Sequence, residues 1–133
     1  MSGTSILVVD DNPTNTKLLT FILSKRGYDV STAHDAEQAL ELLAHHHPRL
    51  ILMDVQLPGM DGLALTRLLK SDPATRDILI IAVTAAAMKG DEDKAREAGC
   101  DGYITKPIDI RDLAAQVRTL LERSLDREAG GEP

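Results

Sequence analysis

The sequence predicts an α/β domain in which a parallel β-sheet is covered by helices on both faces. Two observations favour this fold class. Five short apolar runs recur along the chain, and the stretches between them carry apolar residues at helical spacing. The chain has 133 residues, 43% of them hydrophobic, which is enough for one domain built around one core.

Each predicted strand is identified by its apolar pattern. The first, third and fourth runs are nearly unbroken and too short for helices, as expected for strands that are buried on both faces of a parallel sheet. The second run alternates weakly between apolar and polar residues, and the fifth is brief. The predicted strands cover residues 6–9, 28–33, 49–54, 78–83 and 103–105.

Caps and stop residues define the helices between these strands. Asn12 and Pro13 suit the cap and the first turn of the first helix. Asp35 and Gln38 have the spacing of a capping box for the second helix, and Asp109 can cap the fifth. The first helix should stop at Gly27, and the second should end near residues 45–47. The third helix should include residues 63–69. The fourth should cover residues 88–98, with Gly99 as its stop.

The domain is expected to span residues 1–125. Residues 126–133 are expected to form a flexible tail, because the segment DREAGGEP is polar and rich in Gly. We expect no DNA-binding or catalytic module after the final helix, so the output should be a protein–protein interaction.

Composition argues against several classes of protein. A net charge of −6 and only 2% aromatic residues disfavour phosphate-neutralising or base-stacking contacts with nucleic acid. The single cysteine, Cys100, excludes an internal disulfide and is consistent with a reducing compartment. The N-terminal segment MSGTS lacks the features of a signal peptide, and no apolar run approaches the length of a membrane span. We therefore expect a cytoplasmic domain that binds neither nucleic acid nor membranes.

Residues able to bind a metal ion or a phosphate follow four of the five predicted strands. They are Asp10 and Asp11 after the first strand, Asp54 after the third, Thr84 after the fourth and Lys106 after the fifth. Parallel strands end at a common edge, where α/β sheets bind their ligands. Carboxylates gathered there would repel one another. Because no His or Cys is among them, they predict a hard divalent cation, Mg²⁺.

A metal ion, a lysine and a hydroxyl around a carboxylate are suited to phosphoryl transfer. They would shield the incoming anion and stabilise the equatorial oxygens of its transition state. The carboxylate can then act as the nucleophile and form an aspartyl phosphate.

Four segments of the chain carry a family resemblance. VVDDN, LILMDVQLPGMDG, IIAVTA and GYITKPI resemble the signature blocks of the receiver domain of bacterial two-component response regulators, in the order of that family. The stretch AVTAAAMKGDEDKAREAGCDGYITKPI is similar to the stand-alone DivK type, although receivers of hybrid histidine kinases share much of it. The resemblance covers residues 5–125 and implies a flavodoxin-like, doubly wound sheet with strand order 2-1-3-4-5.

The resemblance also implies how the acids are used. Asp54 matches the phosphoacceptor, which takes a phosphoryl group from a phosphohistidine on a histidine kinase or a histidine phosphotransfer protein. Asp11 matches the direct ligand of Mg²⁺, and Asp10 joins the metal directly or through water. The backbone carbonyl of Gln56 completes the protein ligands, together with Asp54.

Three further positions match the switch of the family. Thr84 matches the hydroxyl that moves to the phosphoryl group, and Lys106 matches the lysine that pairs with it. Tyr103 matches the aromatic residue whose inward rotamer accompanies activation. The downstream target is then expected to bind the face formed by the fourth helix, the fifth strand and the fifth helix.

Several functions remain open at this point. A stand-alone adaptor that switches protein partners is the leading hypothesis, and a phosphoryl shuttle in a multistep phosphorelay is the alternative. Apart from its own phosphorylation and dephosphorylation, we expect no catalysis. A phosphatase of the haloacid-dehalogenase type is disfavoured because it needs an Asp-x-Asp motif, where this chain has Asp54, Val55 and Gln56. Nucleotide-binding loops of the Walker or dinucleotide type are absent from the sequence.

The consecutive histidines 45–47 do not predict a metal site. Neighbouring residues on a helix point about 100° apart and cannot converge on one ion. A solvated helix end is the expected role of this segment.

Overall fold

The computed structural model describes residues 3–57, 59–85 and 90–130. Its strands are β1 (Ser5–Val9), β2 (Asp29–Ala33), β3 (Leu50–Asp54), β4 (Leu79–Thr84) and β5 (Gly102–Thr105). They form one parallel sheet in the order β2-β1-β3-β4-β5. The predicted fold class and strand order are therefore confirmed, and every strand has its carboxyl end at one edge.

The helices lie in the predicted intervals. They are α1 (Pro13–Lys25), α2 (Ala36–Leu43), α3 (Gly62–Ser71), α4 (Asp91–Ala98) and α5 (Ile110–Gly130). The Asn12 side chain accepts from the backbone N–H of Thr14, Asp35 accepts from Gln38 at 2.7 Å, and Asp109 accepts from Arg111 at 2.9 Å, so the three predicted caps are confirmed. None of the described helices has the length and hydropathy needed to cross a bilayer.

Two helix boundaries differ from the sequence prediction. The fourth helix begins at Asp91, because Gly90 before it has a φ of 97°, which a right-handed helix does not allow. The predicted start at Met88 lies outside the described residues. The fifth helix continues to Gly130, across the first residues of the predicted tail, where Arg, Glu and Ala favour helix. The rest of that tail, residues 131–133, is outside the described residues.

The core consists of two apolar layers, one on each face of the sheet. Ile6 and Val8 of β1 point to the layer that α1 and α5 cover, whereas Leu7 and Val9 point to the layer that α2 and α3 cover. The buried residues of the first layer are Leu, Ile and Val, and the second layer adds Ala and Met53, as the aromatic-poor composition requires. The buried sheet holds the five carboxyl ends in fixed register.

A lysine and an aspartate connect the elements at the opposite, amino edge of the sheet. Lys70 Nζ, near the end of α3, donates to the carbonyl oxygen of Ile78 at 2.8 Å, to that of Arg76 at 3.3 Å and to Asp101 Oδ2 at 3.0 Å. The same Asp101 oxygen accepts from the backbone N–H of Ile80 at 2.9 Å. These bonds tie α3, β4 and the turn before β5 together, and we call them the amino-edge latch.

Candidate functional site

Three carboxylates meet at the carboxyl edge of the sheet. Asp10 and Asp11 follow β1 and Asp54 ends β3, and each offers an oxygen within 4.8 Å of the other two. Asp10 is 3% exposed and Asp54 4% exposed, whereas Asp11 faces solvent. Within the described part of the chain this is the one group of three such ligands. The structure thus brings together the acids that the sequence predicts as a metal site.

The first turn of α1 holds Asp10 in place. Asn12 donates its backbone N–H to Asp10 Oδ1 at 2.9 Å, while its own side chain caps α1. Asn15 Nδ2 donates to Asp10 Oδ2 at 3.3 Å. Sequence reasoning identified Asn12 only as a cap and missed Asn15, although its position in the first turn of the helix after the acids was the available signal.

Asp54 lies between one backbone donor and one lysine. Its Oδ1 accepts from the backbone N–H of Gln56 at 3.0 Å, and Lys106 Nζ lies 3.5 Å from its Oδ2. Burial raises the pKa of Asp54, and the neighbouring Asp10 raises it further, against the lowering by the Gln56 N–H and by Lys106. The environment therefore disfavours the ionised form of this carboxyl unless more positive charge is supplied.

The charges of the site leave room for a divalent cation. Lys106 Nζ lies 3.7 Å from Asp10 Oδ2 as well as 3.5 Å from Asp54 Oδ2, longer than the usual charge-assisted bond. Three carboxylates against one ammonium leave an excess of two negative charges. Oxygen ligands with this excess suit Mg²⁺, so the residues present fit the predicted ion. The peptide bond between Lys106 and Pro107 is cis.

Thr84 and Tyr103 lie on the side of the site that faces α4. Thr84 ends β4 and is buried, whereas Tyr103 in β5 is partly exposed. Both line a cavity of about 80 Å³, which Gln56 and Ala95 also line. Burial raises the pKa of the Tyr103 phenol, with smaller contributions from Asp91 and Glu92 of α4. The predicted switch residues therefore share one cavity with the turn after Asp54.

Gly62 at the start of α3 allows the backbone to pass close to Asp54. A Cβ at this position would lie 2.9 Å from the carbonyl carbon of Asp54 and 2.9 Å from the Cα of Val55. The Gly62 N–H donates to the Val55 carbonyl oxygen at 2.8 Å. Sequence reasoning assigned Asp61 and Gly62 to a turn, and it gave no sign of this contact with the backbone of Asp54.

Two of the three consecutive histidines contact different residues. His46 Nε2 lies 3.1 Å from Ser5 Oγ, and His47 Nε2 lies 3.3 Å from Asp77 Oδ2. All three follow α2 and are exposed. The segment is solvated, as expected, and it lies just past the end of α2 at Leu43.

Comparisons with known proteins agree with this geometry. Residues 6–118 match the family model of the response regulator receiver domain. The chain is 44% identical over 117 residues to the polar-differentiation response regulator DivK of Brucella ovis, which covers 88% of this chain and 95% of that protein.

Two solved receiver domains have similar structures. The receiver domain of a signal transduction histidine kinase from Syntrophus aciditrophicus is 38% identical, with a TM-score of 0.84 over 90% of this chain and 91% of that one. The receiver domain of a sensor histidine kinase from Pseudomonas aeruginosa PAO1, solved with a magnesium ion coordinated in its active site cleft, is 34% identical. Its TM-score is 0.77 over 92% of this chain and 97% of that one.

Proposed function

This chain belongs to the family of response regulator receiver domains, and on that premise we propose that it accepts a phosphoryl group on Asp54 from a phosphohistidine. The donor would be a histidine kinase or a histidine phosphotransfer protein. The observation that carries this proposal is the meeting of three carboxylates with Lys106 and Thr84 at one edge of the sheet.

The acceptor step needs only groups that lie at this edge. An Asp54 carboxylate oxygen attacks the phosphorus as the bond to the donor imidazole nitrogen breaks, and the electron pair of that bond returns to the nitrogen. Lys106 is close enough to Asp54 Oδ2, at 3.5 Å, to follow the negative charge onto a phosphoryl oxygen. Thr84, at the end of the neighbouring β4, can donate its hydroxyl to another phosphoryl oxygen.

Mg²⁺ would be held by Asp10, Asp11, Asp54 and the backbone carbonyl of Gln56. When bound, it neutralises the excess of carboxylate charge and shields the incoming phosphoryl group. The magnesium ion in the cleft of the similar Pseudomonas receiver domain supports this choice of metal.

Phosphorylation would be transmitted to partners through Thr84 and Tyr103. A phosphoryl group that draws the Thr84 hydroxyl toward it changes the wall of the cavity which Tyr103 also lines. Tyr103 in turn borders a second cavity, of about 280 Å³, with Glu92 and Arg96 of α4 and Gln116 of α5. Partners that bind this face of α4, β5 and α5 with different affinity in the two states would read the signal.

Intact mass spectrometry tests the acceptor directly. Wild type and Asp54→Asn are incubated with acetyl phosphate, with and without Mg²⁺. We expect a phosphoryl adduct on wild type alone, and only with Mg²⁺. A folded wild type that gains no adduct would refute the proposed acceptor.

Two further measurements separate the ways in which the phosphoryl group could be used. Phosphorylated protein that returns its label to a histidine phosphotransfer protein would act as a shuttle, whereas an adaptor would hold the label. Thr84→Ala should still be phosphorylated but should bind partners equally in both states. Equal partner discrimination by wild type and this variant would rule out the switch role of Thr84.

A further inference from the structure

A groove between the end of α1 and one side of α5 is lined by arginines. Its volume is about 600 Å³. Arg26 is the C-cap residue of α1, Tyr28 stands just before β2, and Arg111 and Arg118 lie on α5. We call this feature the arginine groove.

The lining residues of the arginine groove carry a net positive charge, although the chain as a whole carries a net charge of −6. Among its described lining residues there are three arginines and one acid, Glu122. Glu122 accepts from Arg118 Nε at 3.3 Å, and Arg26 Nη1 donates to the carbonyl oxygen of Ile22 at 3.4 Å. The Arg111 side chain has no hydrogen-bond or ion-pair partner among the described residues. Guanidinium N–H groups that are not all used in hydrogen bonds within the described residues therefore line this concave surface.

The charged side chains of the groove affect the pKa of one residue, Tyr28. Burial raises the pKa of its phenol, Arg118 and Arg26 lower it, and Glu122 raises it. The phenol keeps its proton at neutral pH and can donate a hydrogen bond. Tyr and Arg are, with Trp, enriched among the residues that contribute most to binding at protein interfaces.

We propose that the arginine groove binds an acidic helical segment of a partner protein. Arg111 and Arg118 are seven residues apart on α5, so they lie along one side of the helix and about 10 Å apart along its axis. Carboxylates seven residues apart on a partner helix have the same spacing. Ala114 and Ala115, between the two arginines, are small enough to let such a helix approach. A compact anion would reach only one end of this row, which favours the helix.

The arginine groove and the cavity on the switch side of α5 share only Ala115 among their described lining residues. Gln116, Thr119 and Leu120 of α5 line a different cavity with Asp101, on the side of the helix that faces β5. An acidic helix in the arginine groove would leave that side of α5 accessible. Binding there is therefore independent of Asp54 and of the proposed phosphorylation.

Fluorescence anisotropy with a designed probe tests the proposal. The probe is a labelled 15-residue alanine-based peptide with glutamates seven residues apart, and a second peptide has glutamine at those positions. We expect the glutamate peptide to bind the unphosphorylated full chain and the glutamine peptide to bind at least about tenfold more weakly. The same result is expected with Asp54→Asn, which separates this proposal from the proposed function.

Two double variants with equal charge locate the site. Arg111→Gln with Arg118→Gln removes two exposed charges from the arginine groove, and Arg67→Gln with Arg123→Gln removes two exposed charges elsewhere. Both should keep the circular dichroism spectrum and melting temperature of wild type. We expect the first pair to weaken peptide binding at least about tenfold and the second less than about threefold.

Three results would overturn the proposal. One is equal loss of binding in the two double variants, which would mean a diffuse charge effect. Another is amide chemical-shift changes on peptide addition that lie away from Tyr28, Ala114 and Ala115. The third is binding of ATP by the arginine groove without binding of the glutamate peptide, which would assign the groove to a nucleotide.

Discussion

The chain contains two lysine–aspartate pairs at opposite edges of one sheet, and their surroundings differ. At the amino edge, Lys70 donates to three oxygens between 2.8 and 3.3 Å, and Asp101 also accepts a backbone N–H. At the carboxyl edge, Lys106 lies 3.5 and 3.7 Å from two buried carboxylates, with a third acid beside them.

The difference separates a balanced group of charges from an unbalanced one. In the amino-edge latch, Lys70 and Asp101 balance each other's charge and have close hydrogen-bond partners, so no added ion is needed there. At the carboxyl edge the acids outnumber the lysine, and burial raises the pKa of Asp54. Unbalanced charge of this kind is characteristic of sites that bind ions or carry out chemistry.

Replacing each lysine with methionine should give the largest difference between the two edges, measured as the rate of adduct formation. Lys106→Met is expected to slow formation of the acetyl-phosphate adduct about a hundredfold, because the transition state loses its ammonium group. Lys70→Met should leave that rate within about threefold of wild type, because its charge is far from the acceptor. Both rates can be followed by intact mass over time. Similar losses in the two variants would contradict the distinction.

The amino-edge latch should matter for stability. Lys70→Met leaves the Asp101 carboxylate and two backbone carbonyls without their shared donor, at an expected cost of about 2 kcal/mol in the free energy of unfolding. Lys17→Met, at an exposed position on α1, is the control and should change it by less than about 0.5 kcal/mol. Urea denaturation measures both. Equal values would show that the latch contributes nothing.

The Asp54 carboxylate should reduce the stability of the folded protein in the absence of metal. Because the pKa of Asp54 is raised, the folded state holds its proton more tightly than the unfolded chain, and stability falls as pH rises above the unfolded pKa. Asp54→Asn should therefore be the more stable protein at pH 7 in EDTA. The gain should vanish near pH 3, where the carboxyl is protonated in both states, and Mg²⁺ should stabilise wild type more than the variant.

The opposite order of stability for wild type and Asp54→Asn would contradict this prediction. If Asp54→Asn is less stable than wild type at pH 7 without metal, the bonds from Gln56 and Lys106 outweigh burial and the repulsion by Asp10. The carboxyl edge would then be balanced, like the amino-edge latch.

The smallest expected effect concerns Cys100, next to Asp101 of the latch. Burial raises the pKa of this thiol, so the thiolate fraction at pH 8 is reduced. Iodoacetamide should therefore react about threefold more slowly with the folded protein than with the protein in urea. Lys70→Met should react more slowly still, because the Lys70 ammonium lowers the pKa of this thiol and the variant lacks it. A wild-type rate equal to that in urea would show that the thiol is accessible and unperturbed.

Features that depend on local pattern were predictable from the sequence. The strands, the helix caps at Asn12 and Asp35, and the order of the sheet follow from apolar runs, cap spacing and the family resemblance, and the structure and the comparisons confirm them. The gathering of Asp10, Asp11 and Asp54 was also predictable, because parallel strands place their ends at one edge.

Features that depend on contacts distant in sequence were not predictable. Lys70 and Asp101 are 31 residues apart, and no periodicity relates them. The support of Asp10 by Asn15 depends on the direction in which α1 leaves the strand. Arg26, Arg111 and Arg118 belong to two helices, and only the packing of α1 beside α5 brings them to one groove.

The missing side chain at Gly62 has a mechanical consequence. Because a Cβ at this position would meet the backbone of Asp54 and Val55, the start of α3 and the end of β3 can keep their close approach only with glycine here. Any larger side chain would push α3 away from the strand that carries Asp54. The position of this carboxylate thus depends on a residue that has no side chain of its own.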